Sequence, residues 1–200
     1  MADISIGVLA VQGDFHAHIK MLQTLPGVNA LEVRTQQDLE SVDGLVLPGG
    51  ESTTIIKLLT ISGLGQAIIQ RAQQGMPVYG TCAGLILLAK QVNERPDQPT
   101  LNLMDICAAR NAFGRQVDSF ETDLVVDTAD GSIPVRGVFI RAPFVAHYEP
   151  AVKVLATYRD RVVAVQQGRL LATAFHPELT TNNAIHQYFV GMVRRSVEQV

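Results

Sequence analysis

The chain has 200 residues, of which 47% are apolar, and a formal net charge of −3 at pH 7. A chain of this length can enclose one substantial hydrophobic core and bury roughly 70% of the surface that its unfolded form exposes. Its slightly acidic balance argues against binding nucleic acid or anionic membranes through charge, and no apolar run approaches the roughly 18 residues that span a bilayer.

The first half of the chain alternates strand and helix patterns. A nearly continuous apolar run over residues 4–11 predicts a parallel strand that is buried on both faces. Asp14 then caps a predicted helix that extends to about residue 25. Further strands are predicted over 31–34, 43–47 and 77–79, and further helices over 53–59, 64–74 and 85–90. This βαβα succession implies a parallel sheet with helices on both faces.

The second half is richer in strands. A polar, proline-bearing loop is predicted over 93–99, and a final amphipathic helix over 183–196. The predicted strands cover 122–126, 137–140, 152–158, 162–166 and 170–175, and turn residues between them favour antiparallel pairs added to the sheet. We therefore predict a single α/β domain over 1–200, with three layers, a mostly parallel central sheet and additional antiparallel strands.

One cysteine lies in a pattern typical of a nucleophile elbow. Residues 79–84 read Tyr-Gly-Thr-Cys-Ala-Gly and join a predicted strand to a predicted helix. The glycines leave room beside Cys82 and tolerate strained dihedral angles, and a helix N-terminus favours the thiolate. A cysteine in an apolar stretch is otherwise usually a small buried hydrophobic residue. The glycines therefore favour a reactive thiol at this position.

A His-Pro-Glu segment near the end of the chain supplies a partner for that thiol. His176 and Glu178 are two residues apart, so an extended backbone would place both side chains on one side. These residues predict a triad with Cys82 as nucleophile, His176 as base and acid, and Glu178 holding the imidazole in one tautomer. A lone histidine before Pro-Glu would instead be a surface turn residue.

Attack on a carboxamide also needs donors for the oxyanion, about 2.7–3.1 Å from it. The backbone N–H of Ala83, directly after the nucleophile, is one candidate. The other is the Gly-Gly loop over 48–52, which follows a buried strand where open α/β sheets bind ligands. A plain turn is the alternative interpretation of this loop.

Several longer segments carry a family resemblance. Residues 47–54 (Leu-Pro-Gly-Gly-Glu-Ser-Thr-Thr), 80–85 and 175–179 (Phe-His-Pro-Glu-Leu) resemble the triad-type, or class I, glutamine amidotransferases. Residues 7–13, 110–121 and 139–143 resemble, more narrowly, the glutaminase subunits of pyridoxal 5′-phosphate synthases. The run over 110–121, Arg-Asn-Ala-Phe-Gly-Arg-Gln-Val-Asp-Ser-Phe-Glu, is highly specific. The matching segments are spread over essentially the whole chain.

This resemblance implies that the chain hydrolyses L-glutamine to L-glutamate and ammonia through a thioester on Cys82, without a cofactor. It also implies an oxyanion hole formed by the N–H groups of Gly50 and Ala83. The implied substrate-binding positions are Gly50, Glu51, Ser52, Arg110, Ile140 and Arg141. A guanidinium suits the substrate carboxylate because it pairs with two oxygens at once, although an ordinary surface ion pair is the alternative for either arginine.

The resemblance further implies a partner. Ammonia would pass to a separate TIM-barrel synthase subunit in a hetero-oligomer, which makes pyridoxal 5′-phosphate from a pentose phosphate and a triose phosphate. Gln12 matches a position implicated in the synthase contact and in arranging the Gly-Gly loop. The isolated chain is therefore expected to be a poor glutaminase.

Two other functions compete with this interpretation. A stand-alone γ-glutamyl hydrolase or cysteine peptidase would cleave glutamyl peptides without a partner. A non-enzymatic scaffold or thiol sensor would use Cys82 as an oxidisable group and would not need His176.

Neither a metal site nor secretion is predicted. His16 and His18 are two apart on a predicted helix and therefore on different faces, which favours helix-surface positions. Cys82 and Cys107 do not form a disulfide framework, and the N-terminus lacks a secretory signal pattern. We therefore predict a cytoplasmic protein.

Overall fold

The computed structural model describes residues 3–110 and 119–199. The described residues form twelve strands: Ile4–Leu9 (β1), Val28–Val33 (β2), Gly44–Leu47 (β3), Val78–Thr81 (β4), Ala89–Val92 (β5), Met104–Ala109 (β6), Ser119–Thr128 (β7), Gly131–Ile140 (β8), Phe144–Tyr148 (β9), Lys153–Tyr158 (β10), Arg161–Gln167 (β11) and Leu170–Thr173 (β12). The α-helices are Phe15–Gln23 (α1), Gln36–Glu40 (α2), Ser52–Ser62 (α3), Leu64–Gln73 (α4), Ala83–Leu88 (α5) and Ala184–Val197 (α6), and Pro177–Leu179 is a short 3-10 helix.

Ten of these strands form one sheet in the described part of the chain. Its order is β2-β1-β3-β4-β12-β11-β9-β6-β5, and β10 pairs with β11. The half from β2 to β12 is parallel, whereas β11 is antiparallel to β12, β9 and β10. The predicted fold class is thus confirmed: a mostly parallel central sheet with helices and extra antiparallel strands.

The parallel half brings remote segments to one edge of the sheet. Strands β3, β4 and β12 are neighbours, with Leu47 in register with Gly80 and Thr173 in register with Thr81. Parallel neighbours end at the same edge, where open α/β sheets bind ligands. The Gly-Gly loop, the elbow and the His-Pro-Glu segment follow these three strands directly. The strand order therefore determines where the candidate site lies.

Strands β7 and β8 correct one expectation. They pair with each other over ten residues and form a separate two-stranded sheet rather than extending the main one. Phe120 of β7 and Phe139 of β8 stack at 4.7 Å between ring centroids, and Tyr158 of β10 stacks on both rings. The small sheet therefore packs on the main sheet through aromatic side chains instead of joining its edge by backbone hydrogen bonds.

Helix α5 begins and ends two residues earlier than the sequence predicts. It begins at Ala83 and ends at Leu88, and residues 89–92 form β5, which pairs with β6. Ala89 and Val92 are buried whereas Lys90 and Gln91 are exposed. The backbone of this partly buried segment needs hydrogen-bond partners, and it finds them in a short strand. Tertiary pairing outweighs the helical propensity of this apolar run.

A helix that spans a membrane must be both long and apolar. No single helix among residues 3–110 and 119–199 is long and apolar enough to cross a membrane. Only α3 and α4 taken together, with a bend of 91° between them, meet the length and composition criteria.

Candidate active site

Cys82 occupies a strained turn between β4 and α5. It is the N-cap of α5, with φ 49° and ψ −101°, and its N–H donates to the carbonyl of Thr173 at 2.8 Å. A positive φ in a residue other than glycine costs roughly 1–3 kcal/mol and persists only when the surrounding structure holds it. A methyl group at Gly80 would lie 2.5 Å from the backbone of Gly84, so the predicted need for glycine beside the nucleophile is confirmed.

The other two predicted triad residues lie next to the elbow. His176 Nδ1 is 2.7 Å from Glu178 Oε1, and the Cys82 side chain lies near enough to the His176 ring to raise its pKa. The backbone departs from the predicted extended form, because Pro177 begins a 3-10 helix that turns Glu178 back toward the imidazole. Glu178 is 6% exposed and His176 is 8% exposed, so water weakens this contact little.

The charges within this cluster favour a protonated imidazole. Burial, the largest influence, acts to lower the pKa of His176, but hydrogen bonds and charge from Cys82 and Glu178 raise it to about 10. Burial also acts to raise the pKa of Glu178, but His18 and His176 hold it well below its ordinary value. The arrangement therefore favours an imidazolium at His176, hydrogen-bonded to the ionised Glu178 carboxylate and adjacent to the Cys82 sulfur.

The Gly-Gly loop lies directly against the imidazole. A side chain at Gly49 would overlap the His176 ring, and one at Gly50, whose φ is 156°, would come 2.7 Å from Gln12 Oε1. The same Gln12 oxygen accepts the N–H of Glu51 at 2.9 Å. Gln12 therefore fixes the backbone of the loop at the position where the second oxyanion donor is predicted.

These elements enclose a cavity of about 460 Å³. It is lined by Asp14, Gly49, Gly50, Glu51, Ser52, Cys82, Ala83, Ile86, Arg110, Ile140, Arg141, Pro143, His176 and Leu179. Every predicted substrate-binding position is among these residues, as are the nucleophile, the imidazole and both predicted oxyanion residues. Glu178 and Gln12 lie behind the wall of the cavity and act on it through other groups.

Arg110 is held at the mouth of the cavity by three groups. Its Nη1 donates to Gln98 Oε1 at 3.1 Å, its Nη2 lies 3.5 Å from Glu51 Oε1, and its backbone N–H donates to Glu94 at 3.0 Å. The guanidinium has five donor hydrogens, so these contacts leave others for a ligand. Hydrogen bonds from Thr53 hold the pKa of Glu51 below its ordinary value, and the charge of Arg110 adds to this effect.

Arg141 and Ile140 approach the cavity from the end of β8. Arg141 has φ 42°, the left-handed region that costs energy for any residue with a side chain. Both residues are exposed, with Ile140 at 41%. In the specific run over 110–121, residues 111–118 lie outside the described residues, and residues 119–121 begin β7.

Two residues that contact the site escaped the sequence analysis. Gln98 belongs to the predicted polar loop, yet it bridges the site, since its Nε2 donates to Ser52 Oγ at 3.2 Å and its Oε1 accepts from Arg110. His18 was predicted on the helix surface, which is wrong: it is completely buried and contacts Glu178. The helical period contained that signal, because Met21 and Leu22 are buried on the same face.

A larger groove of about 710 Å³ lies between α3 and the loop over 94–99. It has no cysteine, serine or histidine in its lining, so chemistry rather than size identifies the smaller cavity as the candidate site. Within the ranges 3–110 and 119–199, no group of three or more histidine, cysteine or acidic residues is arranged to hold a metal ion.

Comparison with known proteins agrees with this chemistry. A family model described as the SNO glutamine amidotransferase family matches residues 8–195. A relative from Moorella thermoacetica, named pyridoxal 5′-phosphate synthase subunit PdxT, is 51% identical over 188 residues, covering 94% of this chain and 98% of its own. The protein of the same name from Herpetosiphon aurantiacus is 55% identical over 192 residues, covering 94% and 100%.

Solved structures share the fold of this chain. A crystal structure described as glutamine amidotransferase superposes with a TM-score of 0.88 at 46% identity, covering 94% of this chain and 98% of that one. A structure described as PurLQS from Thermotoga maritima shares the fold, with a TM-score of 0.70 at 16% identity, covering 100% of this chain and 99% of that one. On the family match and these relatives, the chain belongs to the SNO glutamine amidotransferase family.

Proposed function

We propose that this chain is the glutaminase subunit of a pyridoxal 5′-phosphate synthase: it hydrolyses L-glutamine to L-glutamate and ammonia. The observation that carries the proposal is the position of His176, which lies between the Cys82 side chain and the Glu178 carboxylate, 2.7 Å from the latter, at the wall of the cavity. The full-length relatives named as synthase subunits support the pathway.

The mechanism follows from the groups that face the cavity. The Cys82 thiolate attacks the side-chain carboxamide carbon of glutamine, and the carbonyl electrons move onto oxygen, next to the backbone of Gly50 and Ala83. The intermediate collapses, the C–N bond breaks, and His176 gives its proton to the departing ammonia. Water, deprotonated by His176, then attacks the thioester and releases glutamate and the thiolate. Throughout, Glu178 stabilises the charged imidazole.

Substrate selection is assigned to the rim of the cavity. Arg110 or Arg141 would pair with the α-carboxylate of glutamine, since a guanidinium binds both oxygens of a carboxylate. The Glu51 carboxylate, next to Arg110, would accept the α-ammonium group. Ser52 and Ile140 would complete the wall of the cavity.

A catalytic thiol must stay reduced, so we place the protein in a reducing compartment such as the cytoplasm.

Ammonia would pass to a TIM-barrel synthase subunit in a hetero-oligomer, as the resemblance implies. Gln12 is the candidate link between the two proteins, because it lies at the β1–α1 junction and holds the Glu51 N–H at the base of the Gly-Gly loop. Docking next to Gln12 would act directly on the oxyanion donors. We therefore expect glutamate release to be slow in the isolated chain and faster with the synthase.

The test is glutamate release from glutamine with and without the synthase subunit. We expect Cys82→Ala to abolish it under both conditions, because no other cysteine is among the described residues that line the cavity. Cys107→Ala is the matched control, since Cys107 lies outside the cavity and contacts Asn93. Glutamate release that persists in Cys82→Ala would refute the proposal.

Two further measurements, peptide cleavage and thiol oxidation, separate the competing functions. A stand-alone hydrolase would cleave γ-glutamyl peptides at full rate without the synthase. A thiol sensor would keep its response in His176→Asn. Gln12→Ala is expected to reduce the stimulation by the synthase, whereas Gln66→Ala, on the exposed face of α4, should leave it unchanged.

A further inference from the structure

A second histidine lies behind the catalytic group. His18 of α1 is completely buried, in the middle of a helix face that it shares with Met21 and Leu22. A buried imidazole in place of an aliphatic side chain is unfavourable unless its polar atoms have partners. His18 has partners at both nitrogens, and one of them is the carboxylate of Glu178.

The contacts form a continuous buried chain. His18 Nε2 lies 3.3 Å from Glu178 Oε1 and 3.1 Å from Thr81 Oγ1, the residue before the nucleophile. His18 Nδ1 lies 2.9 Å from Nε2 of His186 on α6. Glu178 Oε1 therefore meets two imidazoles, since His176 Nδ1 lies 2.7 Å from the same oxygen.

The charge of the Glu178 carboxylate determines which nitrogen of His18 carries a hydrogen. Glu178 is held ionised, so its Oε1 can only accept hydrogen bonds. A ring nitrogen at 3.3 Å from a buried anionic oxygen must then present an N–H, because a lone pair there would be repelled. His18 Nε2 therefore carries a hydrogen. This holds whichever of the two facing nitrogens, His18 Nδ1 or His186 Nε2, donates in the hydrogen bond between the two imidazoles.

The second oxygen of Glu178, Oε2, explains why the contact between His18 and Oε1 matters for the orientation of the carboxylate. Within the described part of the chain, Glu178 Oε2 is buried and has no hydrogen-bond partner. The orientation of the carboxylate thus depends on the two imidazoles at Oε1, the hydrogen bond from His176 and the 3.3 Å contact with His18. Loss of the His18 contact would leave the His176 hydrogen bond alone, with a freer carboxylate and more negative charge directed at His176.

We infer that His18 is a positioning residue for the glutaminase reaction, which fixes the Glu178 carboxylate and moderates its hold on the His176 proton. The inference rests on the proposed function. Both imidazoles approach one oxygen, His176 through a hydrogen bond and His18 at ion-pair distance, so the carboxylate does not direct its charge at His176 alone. With this arrangement His176 can release its proton to ammonia, whereas a carboxylate that bonded His176 alone would retain that proton.

His186 provides the matched control. It is fully buried, and burial together with the charge of His18 lowers its pKa to about 3, so it is neutral. It contacts His18, but among the described residues its Nδ1 has no hydrogen-bond partner, and it forms neither a hydrogen bond nor an ion pair with Glu178. A change at His186 disturbs the same core without removing a donor from the carboxylate.

Two variants of His18 distinguish the contribution of its Nε2 from that of its Nδ1. In His18→Gln the side-chain amide reaches the position of Nε2, whereas in His18→Asn it reaches only that of Nδ1. Steady-state glutamate release in the assembled complex with the synthase should show kcat roughly tenfold lower for His18→Asn, the effect of one hydrogen bond to a charged group. The KM for glutamine should be unchanged, since His18 does not line the cavity. His18→Gln should recover most of kcat, and His186→Leu should stay within about twofold of the wild type.

A spectroscopic readout is independent of turnover. The proton on His176 Nδ1 should give a low-field signal, identified by its loss in His176→Asn. The signal should move in His18→Asn and keep its position in His18→Gln.

The outcomes distinguish this inference from the proposed function. If the wild type with the synthase releases no glutamate, the proposed function fails, and the low-field signal still tests the role of His18. If folded His18→Asn retains the wild-type kcat and signal, the inference is overturned. A rise in KM alone, or an equal loss of kcat in His186→Leu, would also overturn it.

Discussion

At the residue scale, the candidate site consists of a small reacting set held by side chains that do not react. Glu178 lies behind His176 and outside the cavity, and Gln12 lies behind the Gly-Gly loop. Gln98 lies behind Arg110 in the same way. Each of these contacts fixes one flexible group, which a site of this kind requires because small misplacements cost large factors in rate.

Gln98 offers a direct test of this arrangement. Its amide joins Arg110 to Ser52, two predicted substrate-binding residues, through hydrogen bonds of 3.1 and 3.2 Å. We expect Gln98→Ala to raise the KM for glutamine roughly three- to tenfold, the effect of about 1 kcal/mol, with little change in kcat. Steady-state kinetics with the synthase would check this, with Gln66→Ala as control. A fall in kcat at constant KM would contradict the assigned role.

The triad predicts a pH dependence of stability. The pKa of His176 is raised to about 10 in the folded chain, against about 6.5 when unfolded. Below pH 6.5 both states bind the proton, so the stabilisation is fully present. As the pH rises from 6.5 to 10, only the folded state keeps the proton, and the free energy of unfolding falls. Urea unfolding across this range should show a steeper fall in the wild type than in His176→Asn. Equal slopes would contradict the prediction.

At the element scale, close packing explains why the elbow contains glycines. The turn after β4 brings Gly80 against the backbone of Gly84, and Gly84 in turn lies against the carbonyl of Leu47 at the end of β3. Helix α5 can therefore approach the sheet closely enough to leave Cys82 at the open edge. Any side chain at either glycine would push α5 away and move the nucleophile.

A pair of glycine substitutions tests this packing. A methyl group at Gly80 would lie 2.5 Å from backbone atoms, so we expect Gly80→Ala to lower the free energy of unfolding by about 1–3 kcal/mol. At Gly191 of α6, the nearest atom would be the flexible end of Arg195, 3.4 Å away. There the helix gains propensity, and Gly191→Ala should raise stability by about 0.5–1 kcal/mol. Urea unfolding measures both, and a harmless Gly80→Ala would refute the steric argument.

At the scale of the whole molecule, the small sheet is connected to the site. Phe139 of β8 is 1% exposed and packs at 5.6 Å against Phe175, the residue before His176. The His176 N–H also donates to the carbonyl of Val138 at 2.8 Å. The β7–β8 sheet thus supports the catalytic segment through one aromatic contact and one backbone hydrogen bond.

We therefore propose that the chain unfolds as one unit, as the predicted single domain requires. Native-state hydrogen exchange should give β8 and β4 the same free energy of opening and the same denaturant dependence. The aromatic contacts would have to break together with the main sheet. Separate opening of β8 at lower denaturant would show that the small sheet is an independent unit.

Much of the parallel half could be predicted because local patterns dominate there. Continuous apolar runs, such as residues 4–11 and 43–47, identify strands buried on both faces, and the Gly-Gly loop directly follows the second of these runs. The prediction weakened after residue 88, where strand pairing outweighs propensity: the first two residues of β5 were predicted as helix, and β6 and β9 were not predicted.

The sequence by itself determined the chemistry: which thiol, which imidazole and which glycine loop, because these depend on residue type and short spacing. It also determined the family, through motifs spread along the chain. Only the tertiary structure decided that β12 lies beside β4, which brings His176 to Cys82 from the far end of the chain. It alone placed Gln98 against Arg110 and His18 against Glu178. Such contacts join residues remote in sequence, and they form only when the sheet and helices pack.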